Sequence, residues 1–203
     1  MNKNKEFKER SLVLIKPDGV QRSLIGEIIK RYERIGLKLV ALKFIIPTPQ
    51  LVEKHYLIDK GWLESVGKKT IESYKSKGKK SPFSDPKKGG KWVLGKLKKF
   101  ISAGPVVAMV WQGNEAVGII RKITGGTEPL SSDVGTIRGD LTLDSYPLAD
   151  TSTRAVRNLV HASGSREEAE KEIKVWFKSN EIIKYRLAQE AILYDVDLDG
   201  IKE

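Results

Sequence analysis

The sequence contains two histidines, and one of them, His161, lies where an imidazole could act on phosphate. It ends the run Asn158-Leu159-Val160-His161 and is followed within four residues by the start of a predicted helix. Backbone N–H groups at a helix start attract anions, and a neutral imidazole can attack phosphorus to form a phosphohistidine. Ser163 and Glu172 are the candidates for fixing the tautomer and orientation of the ring. We interpret the other histidine, His55, as a surface or packing residue of a short helix.

Phosphoryl transfer needs cations on the phosphate oxygens more than it needs covalent chemistry from the protein. The candidates for this role are Lys16, at the end of the first predicted strand, and Arg121, Thr127 and Arg138, in and beside a polar stretch at 124–140. The sequence contains neither a Gly-x-x-x-x-Gly-Lys-Ser/Thr phosphate loop nor a protein-kinase catalytic-loop signature. A nucleotide site in this chain would therefore hold phosphates with side chains rather than with a glycine-rich backbone loop.

A mixture of strands and helices must position these residues. Apolar runs indicate strands at 11–16, 37–46, 106–111 and 158–161. Apolar residues at helical spacing, or a helix-start signal, indicate helices at 24–35, 48–57, 92–101, 114–123 and 165–177. The irregular alternation of the two types indicates an α+β sandwich rather than a doubly wound parallel sheet. The polar stretch has little periodicity, and loops of this length in compact domains are often functional.

Length and composition exclude several classes of protein. A chain of 203 residues, 39% hydrophobic and 31% charged, can form one domain with a sizeable core. The absence of cysteine excludes disulfides, cysteine nucleophiles and thiolate metal sites. No apolar run approaches the roughly 20 residues that a membrane helix needs, and the first apolar stretch is too short for a signal peptide. We therefore expect a soluble, cytoplasmic protein with no membrane partner.

The formal net charge of +11 is concentrated in one part of the chain. Residues 60–99 hold thirteen lysines, no arginine and three acidic residues, which gives this segment +10 and leaves +1 for the rest. Turn-forming clusters at 75–82 and 85–90 interrupt the segment. We interpret it as a flexible, solvated lysine-rich loop. A nucleic-acid partner is the alternative. The absence of arginine from the segment counts against it, since dedicated nucleic-acid surfaces usually contain arginine interleaved with aromatic residues.

Six short motifs follow one another in a fixed order. They are Lys16-Pro17-Asp18-Gly19-Val20, Gly104-Pro105-Val106-Val107-Ala108-Met109, Gly135-Thr136-Ile137-Arg138-Gly139-Asp140, Asn158-Leu159-Val160-His161-Ala162-Ser163, Glu170-Lys171-Glu172-Ile173 and Trp176-Phe177. Together they closely resemble the nucleoside diphosphate kinase family, from about Ser11 to Tyr194. On this resemblance the chain is one domain over 1–203, with a basic insertion at 60–92, a shorter insertion at 141–153 and a C-terminal tail at 195–203.

The resemblance implies an enzyme that transfers the γ-phosphate of a nucleoside triphosphate, such as ATP, to a nucleoside diphosphate. The implied mechanism is ping-pong, with a phosphohistidine at His161. The implied fold is a ferredoxin-like α/β sandwich of the α+β class, in which helices cover an antiparallel four-stranded sheet. The implied assembly is a homo-oligomer, a hexamer or a tetramer. Mg²⁺ would bind mainly through the nucleotide's phosphates, in agreement with the lack of a carboxylate cluster.

The resemblance also assigns roles to individual residues. Arg121, Thr127 and Arg138 match the positions that hold the phosphates. Lys16 and Asn158 match those that hydrogen-bond the sugar hydroxyls, and Lys16 also lies near the transferred phosphate. The supporting positions are those of Tyr56, beside that lysine, and of Ser163 and Glu172, beside the histidine.

The chain departs from the family's usual pattern where the base should bind. Family members usually stack the base on a phenylalanine, and the corresponding position holds Val93, with Trp92 and Leu94 as alternatives if the register is shifted. The usual glycine after the histidine is Ala162, and the usual acidic residue two positions later is Gly164. A second interpretation of the chain is a nucleic-acid-binding or regulatory protein that uses the same fold and the lysine-rich insertion.

Overall fold

A four-stranded antiparallel sheet forms the centre of the computed structural model, which describes residues 8–194. The strands are β1 (Glu9–Ile15), β2 (Lys38–Ile45), β3 (Val106–Gly113) and β4 (Val160–Ala162). Their order in the sheet is β2-β3-β1-β4, and each neighbouring pair is antiparallel. The predicted fold class is therefore confirmed. The predicted tail at 195–203 lies outside the described residues.

Helices surround the sheet. They are α1 (Pro17–Gln21), α2 (Ile25–Glu33), α3 (Pro49–Tyr56), α4 (Trp62–Ser76), α5 (Pro86–Ile101), α6 (Ala116–Thr124), α7 (Ile137–Leu141), α8 (Tyr146–Thr151), α9 (Arg166–Trp176) and α10 (Glu190–Leu193). Short 3-10 turns form at Pro129–Ser131 and Ser179–Glu181. Within residues 8–194, no helix has both the length and the apolar composition needed to cross a membrane.

The core lies on both faces of the sheet because side chains alternate along each strand. In β3, Val107, Met109 and Trp111 face one layer, where they pack with residues of α2 and α6. Val106, Ala108 and Val110 face the other layer, where they pack with residues of α3, α5 and α9. With both faces covered, β3 is almost entirely buried, which explains why its sequence is a continuous apolar run.

Several predicted element boundaries move in the structure. The Pro17-Asp18-Gly19 sequence after the first strand begins the short helix α1, for which no helix was predicted. Proline occupies its first turn, where the missing N–H would be unpaired in any case. The polar stretch 124–140 contains a 3-10 turn and most of α7. The shorter insertion at 141–153 contains α8.

The expectation of a flexible loop in the basic insertion is wrong, because α4 and α5 form a helical hairpin there. The turn-forming residues lie at the ends of these helices. Gly78 adopts a φ of 65° just after α4, and the Asp85 side chain accepts a hydrogen bond from Lys87 N at the start of α5 (2.9 Å). Asp85-Pro86 is thus a helix-start signal rather than part of a loop. We call residues 62–101 the basic hairpin.

Glycines inside the two helices allow them to pack at very short range. A Cβ atom on Gly67 would lie 1.7 Å from Pro86 O, and one on Gly90 would lie 2.0 Å from Leu63 O. Glycine usually weakens a helix, but here only glycine leaves room for the backbone of the facing helix. The basic hairpin is therefore a close-packed unit.

Side-chain contacts attach the basic hairpin to the rest of the fold. Lys98 Nζ lies 2.7 Å from Glu53 Oε2 on α3, and the rings of Tyr56 and Trp62 are 5.0 Å apart. At its far end, Lys77 Nζ lies 2.8 Å from Asp150 Oδ2 on α8. The two insertions therefore contact each other.

Candidate active site

A polar cavity beside β4 brings together most of the residues predicted for the site. Seven of them line it: Lys16, Tyr56, Arg121, Thr127, Arg138, Asn158 and His161. They come from the end of β1, α3, α6, α7, β4 and the connecting loops, so only the folded chain places them together. Of the other three, Ser163 and Glu172 lie behind the histidine, and Val93 lies on α5.

His161 lies on β4, opposite Leu14 of β1, with its side chain 16% exposed. Its Nε2 is 2.9 Å from Glu172 Oε1, although the two groups are not aligned as an ideal hydrogen bond. The Ser163 hydroxyl lies 2.6 Å from Glu172 Oε2 and also accepts a hydrogen bond from Leu12 N (3.0 Å). With one lone pair occupied by this N–H, the hydroxyl can direct its proton to the carboxylate. Glu172 is thereby held in place to accept the Nε2 proton of His161.

This arrangement defines which ring nitrogen of His161 is free. If Nε2 carries the proton towards Glu172, Nδ1 keeps its lone pair. Burial, with the charge of Lys16, lowers the pKa of His161 to about 3, so the ring is neutral at physiological pH. A neutral ring with a fixed tautomer has one nucleophilic nitrogen.

His55 contributes to the site in a way that the sequence analysis did not assign. It is buried behind His161, with the two rings edge to face at 4.5 Å, and its Nε2 lies 3.6 Å from Glu172 Oε1. Its Nδ1 accepts a hydrogen bond from Trp176 Nε1 (3.2 Å). Of the two roles predicted for His55, surface or packing, the structure shows packing. His55 lies three residues after the buried Val52, and this spacing places both side chains on the inward face of α3.

His55, His161 and Glu172 form a cluster whose composition could suit a metal ion. The hydrogen bond from Trp176 argues against this use. An indole N–H can only donate, so Nδ1 of His55 must be unprotonated and Nε2 must carry the proton. A protonated ring nitrogen cannot coordinate a metal, so the cluster instead fixes tautomers.

Arg138 of α7 binds the backbone around the cavity as well as lining it. Its guanidinium donates to Asn158 O (3.1 Å) and Val160 O (2.6 Å), and to the carbonyls of Gly125 and Gly126 (both 2.9 Å). Burial lowers the pKa of Arg138 only to about 10, so the group stays charged at neutral pH. One side chain therefore supplies a fixed positive charge and joins two loops.

Lys16 and Asn158 form a second polar connection. Lys16 Nζ donates to Asn158 Oδ1 (2.6 Å), and Asn158 Nδ2 donates to the carbonyl of Thr127 (2.7 Å). Burial and the nearby charge of Arg138 lower the pKa of Lys16 to about 7. This lysine is therefore close to half protonated at neutral pH.

The residue between Asn158 and β4 has a strained backbone. Leu159 adopts a φ of 65°, and its side chain is completely buried in the core. Asp18 Oδ2 accepts from Leu159 N (3.0 Å), and Lys16 N donates to Leu159 O (2.7 Å), so both sides of the residue are held. The sequence analysis missed Asp18, whose position beside Lys16 and Pro17 was the available signal.

The side chains of Arg121 and Thr127 lie at the exposed rim of the cavity. On the opposite side, α5 contributes Leu97 to the lining. Val93 lies one turn earlier on the same face of α5. It is not among the described residues that line the cavity. Its role at the base therefore stays a prediction.

The acidic residues of the described chain do not line this cavity, and lysine and arginine side chains enclose a neutral histidine. An antiparallel α+β sandwich with such a site belongs to the class of phosphotransferases. The sequence model of the family described as nucleoside diphosphate kinase matches residues 9–64 and 85–182. The chain belongs to the nucleoside diphosphate kinase family, an enzyme family. The unmatched residues between the two ranges lie in the basic hairpin.

Relatives and solved structures agree with this assignment. A nucleoside diphosphate kinase of Pyrobaculum aerophilum is 44% identical over 180 residues, which are 87% of this chain and 98% of that protein. The crystal structure of an NDP kinase from the same organism has a TM-score of 0.84 at 43% identity and covers 87% of this chain and 100% of its own. A Borrelia burgdorferi nucleoside-diphosphate kinase, solved as a transition state mimic with vanadate and ADP, has a TM-score of 0.74 at 36% identity over 90% of this chain and 95% of its own.

Proposed function

We propose that His161 carries the phosphoryl group in transfer between nucleotides. Nδ1 attacks the γ-phosphorus of a nucleoside triphosphate, the bond to the β-phosphate oxygen breaks, and the diphosphate leaves. A second diphosphate then takes the group from the phosphohistidine by the reverse path, so one site serves both halves of a ping-pong cycle. The observation that supports this proposal is the 2.9 Å approach of His161 Nε2 to Glu172 Oε1, since a proton on Nε2 would leave the lone pair of Nδ1 free to attack.

Labelling of the protein tests this proposal. The chain incubated with γ-labelled ATP should acquire label that is lost in acid and stable in alkali, as expected for phosphohistidine. Addition of an unlabelled nucleoside diphosphate should remove the label. Label that is stable in acid would point to a phosphoester on a hydroxyl residue instead.

The positive side chains of the cavity would hold the phosphates. Arg121 and Arg138 carry fixed charge, Thr127 offers a hydroxyl at the rim, and Lys16 lies between Arg138 and Asn158. Charge fixed in advance stabilises a transition state without reorganisation during the reaction. The vanadate and ADP bound in the Borrelia relative support the same use here.

The sugar and base would contact the remaining lining residues. Asn158 and Lys16 would hydrogen-bond the sugar hydroxyls, with the Tyr56 ring beside them. Leu97, which lines the cavity, would contact the base, together with Val93 one turn earlier on the same face of α5. Because an apolar contact does not distinguish bases by hydrogen bonding, we expect broad base specificity.

Mg²⁺ would accompany the nucleotide rather than occupy a protein site. Hard divalent cations prefer oxygen ligands, and the described lining contains no carboxylate. The donor set of the cavity therefore fits a cation carried by the phosphates and water, where it would neutralise charge on the transferred group.

Lys16 should take up a proton when a nucleoside diphosphate binds. With a pKa of about 7, it is mostly neutral at pH 8, and bound phosphates favour its charged form. Calorimetry of ADP binding at pH 8, in buffers with different ionisation enthalpies, should show uptake approaching about one proton, and much less at pH 6. Lys16→Met should remove the uptake and Lys99→Met should preserve it; uptake that survives Lys16→Met would assign the proton to another group.

The edge strand β2 supports the predicted homo-oligomer. Leu42, Phe44 and the following Ile46 are 48%, 60% and 69% exposed, so an apolar strip runs along the edge of the sheet. Such strips on edge strands usually mark contact surfaces between protein chains. Whether the assembly is a hexamer or a tetramer stays a prediction, as does the cytoplasmic location.

Phe44→Glu should weaken this assembly, because the substitution would bury a charge in an apolar interface. Light scattering after size-exclusion chromatography should show a species at least twofold smaller than the wild-type oligomer. Leu57→Glu, at an exposed apolar residue on a different element, is the control and should leave the mass unchanged. An unchanged mass for Phe44→Glu would exclude this strip from the interface.

A further inference from the structure

The helix α5 presents one face that consists of lysines. Its sixteen residues include six lysines and no acidic residue. At 100° per residue, Lys87, Lys88, Lys91, Lys98 and Lys99 fall within an arc of about 120°, with Gly95 in its middle. We call these residues the lysine face. The rest of the circumference contains the buried Gly89, Gly90, Leu94 and Ile101, so the face borders the core along its Lys87 and Lys98 side and is otherwise directed away from it.

Most of the charge on the lysine face is unneutralised. Within residues 8–194, the lysines of the basic hairpin that pair with a carboxylate are Lys68, Lys77 and Lys98. Lys87, Lys88, Lys91 and Lys99 are exposed and form no salt bridge in this part of the chain, and of the four Lys87 lies within electrostatic reach of Glu64. Because the glycine contacts fix α5 against α4, these charges project from a rigid support.

We propose that the lysine face binds the phosphate backbone of double-stranded nucleic acid without reading its sequence. The face is about 18 Å long, which matches about five phosphates along one strand of a duplex. Lysine provides point charges for phosphate, and the face lacks the arginine, asparagine and glutamine side chains that make the commonest bidentate contacts with base edges. Gly95 leaves its centre flat and open, since even a Cβ atom at this position would have nothing within 4 Å.

Two other partners fit the surface less well. Single strands bind largely by stacking bases on aromatic rings, but Trp92, at the edge of the face, is covered by Lys96 at 3.4 Å from its ring centroid and packs against Phe83. A helix that inserts into a membrane surface needs apolar side chains on its lipid-facing side, and the lysine face contains none, so only charge would attract it to anionic lipid. A duplex needs neither feature.

Fluorescence anisotropy with a labelled 20-base-pair duplex tests the proposal on the full chain. We expect a dissociation constant of about 10⁻⁴ to 10⁻⁶ M near physiological salt, equal for two unrelated sequences, with affinity falling steeply between 50 and 200 mM salt. The variant carrying Lys87→Gln, Lys88→Gln, Lys91→Gln and Lys99→Gln should bind at least about tenfold more weakly and show a shallower salt dependence. Glutamine preserves helix propensity, and circular dichroism should confirm an unchanged fold.

The matched control removes the same charge elsewhere, by Lys30→Gln, Lys54→Gln, Lys171→Gln and Lys174→Gln at exposed positions. It should retain the affinity for the duplex, and both variants should retain phosphate exchange. Equal losses in the two variants would overturn the proposal, as would absence of duplex binding at 50 mM salt. Binding to phosphatidylserine vesicles or to a single strand in preference to the duplex would also overturn it. A loss of exchange activity without a loss of duplex binding would assign the lysines to the nucleotide reaction instead.

Discussion

His161→Asn should lower phosphate exchange between ATP and a second nucleoside diphosphate by about four orders of magnitude or more, as removal of a covalent nucleophile usually does. The asparagine side chain cannot form a phosphoramidate under these conditions, so the ping-pong route has no intermediate. Nucleotide binding should persist, because the variant leaves unchanged the side chains that we propose hold the phosphates, Arg121, Arg138 and Lys16. The measurement is a coupled exchange assay, with ADP affinity determined on the same preparation.

His55→Gln is the matched control because it removes the other histidine and leaves the cavity lining intact. This variant should still acquire alkali-stable label from γ-labelled ATP, whereas His161→Asn should acquire none. Label that persists in His161→Asn and disappears in His55→Gln would assign the covalent step to the other histidine and refute the mechanism.

Arg138→Lys should reduce both stability and activity, although it conserves charge. A lysine ammonium has three donors on one atom and cannot reach the four carbonyls that the guanidinium binds across two loops. Buried carbonyls left without partners should lower the free energy of unfolding by roughly 2–4 kcal/mol. The displaced charge should lower kcat/KM at least about 100-fold. Urea unfolding and exchange assays in buffer without denaturant measure the two effects separately.

Arg121→Lys is the control for this substitution. Arg121 lies on the exposed rim and has the same side chain without the backbone hydrogen bonds of Arg138. Its free energy of unfolding should change by no more than about 0.5 kcal/mol, while its activity should fall. Equal losses of stability at the two positions would show that the carbonyl contacts of Arg138 contribute nothing to folding.

The sheet and most of the residues that line the candidate site could be predicted from the sequence, for reasons that particular residues illustrate. The apolar run of β3 can only be buried on both faces, and the motifs around Lys16, Arg138 and His161 are contiguous in the chain. The role of His55 was not accessible, because its contacts with Trp176 and Glu172 join α3 to α9 and exist only after folding. Sequence periodicity reports that a side chain faces inward, but not which group it meets.

For most of the basic hairpin, local sequence preference predicted a loop where the structure has two packed helices. Gly67, Gly89 and Gly90 are poor helix formers, and Gly78, Asp85 and Pro86 are frequent in turns, so local propensity argued for a loop. The contact between α4 and α5 reverses this conclusion, because their backbones approach too closely for any side chain. Local preference predicted the helix at 92–101, which is the larger part of α5, but missed α4 and the first turns of α5.

The left-handed backbone at Leu159 has a consequence for how the enzyme could evolve greater stability. A non-glycine residue in this conformation costs of order 1–3 kcal/mol, and glycine would remove that cost. Yet the Leu159 side chain is fully buried among the residues of the core, so glycine would open a cavity costing as much or more. Glycine at position 159 would relieve the backbone strain but lose the side-chain packing, so one substitution cannot improve both the backbone and the packing. The packing of the Leu159 side chain therefore favours retention of the strained backbone two residues before His161.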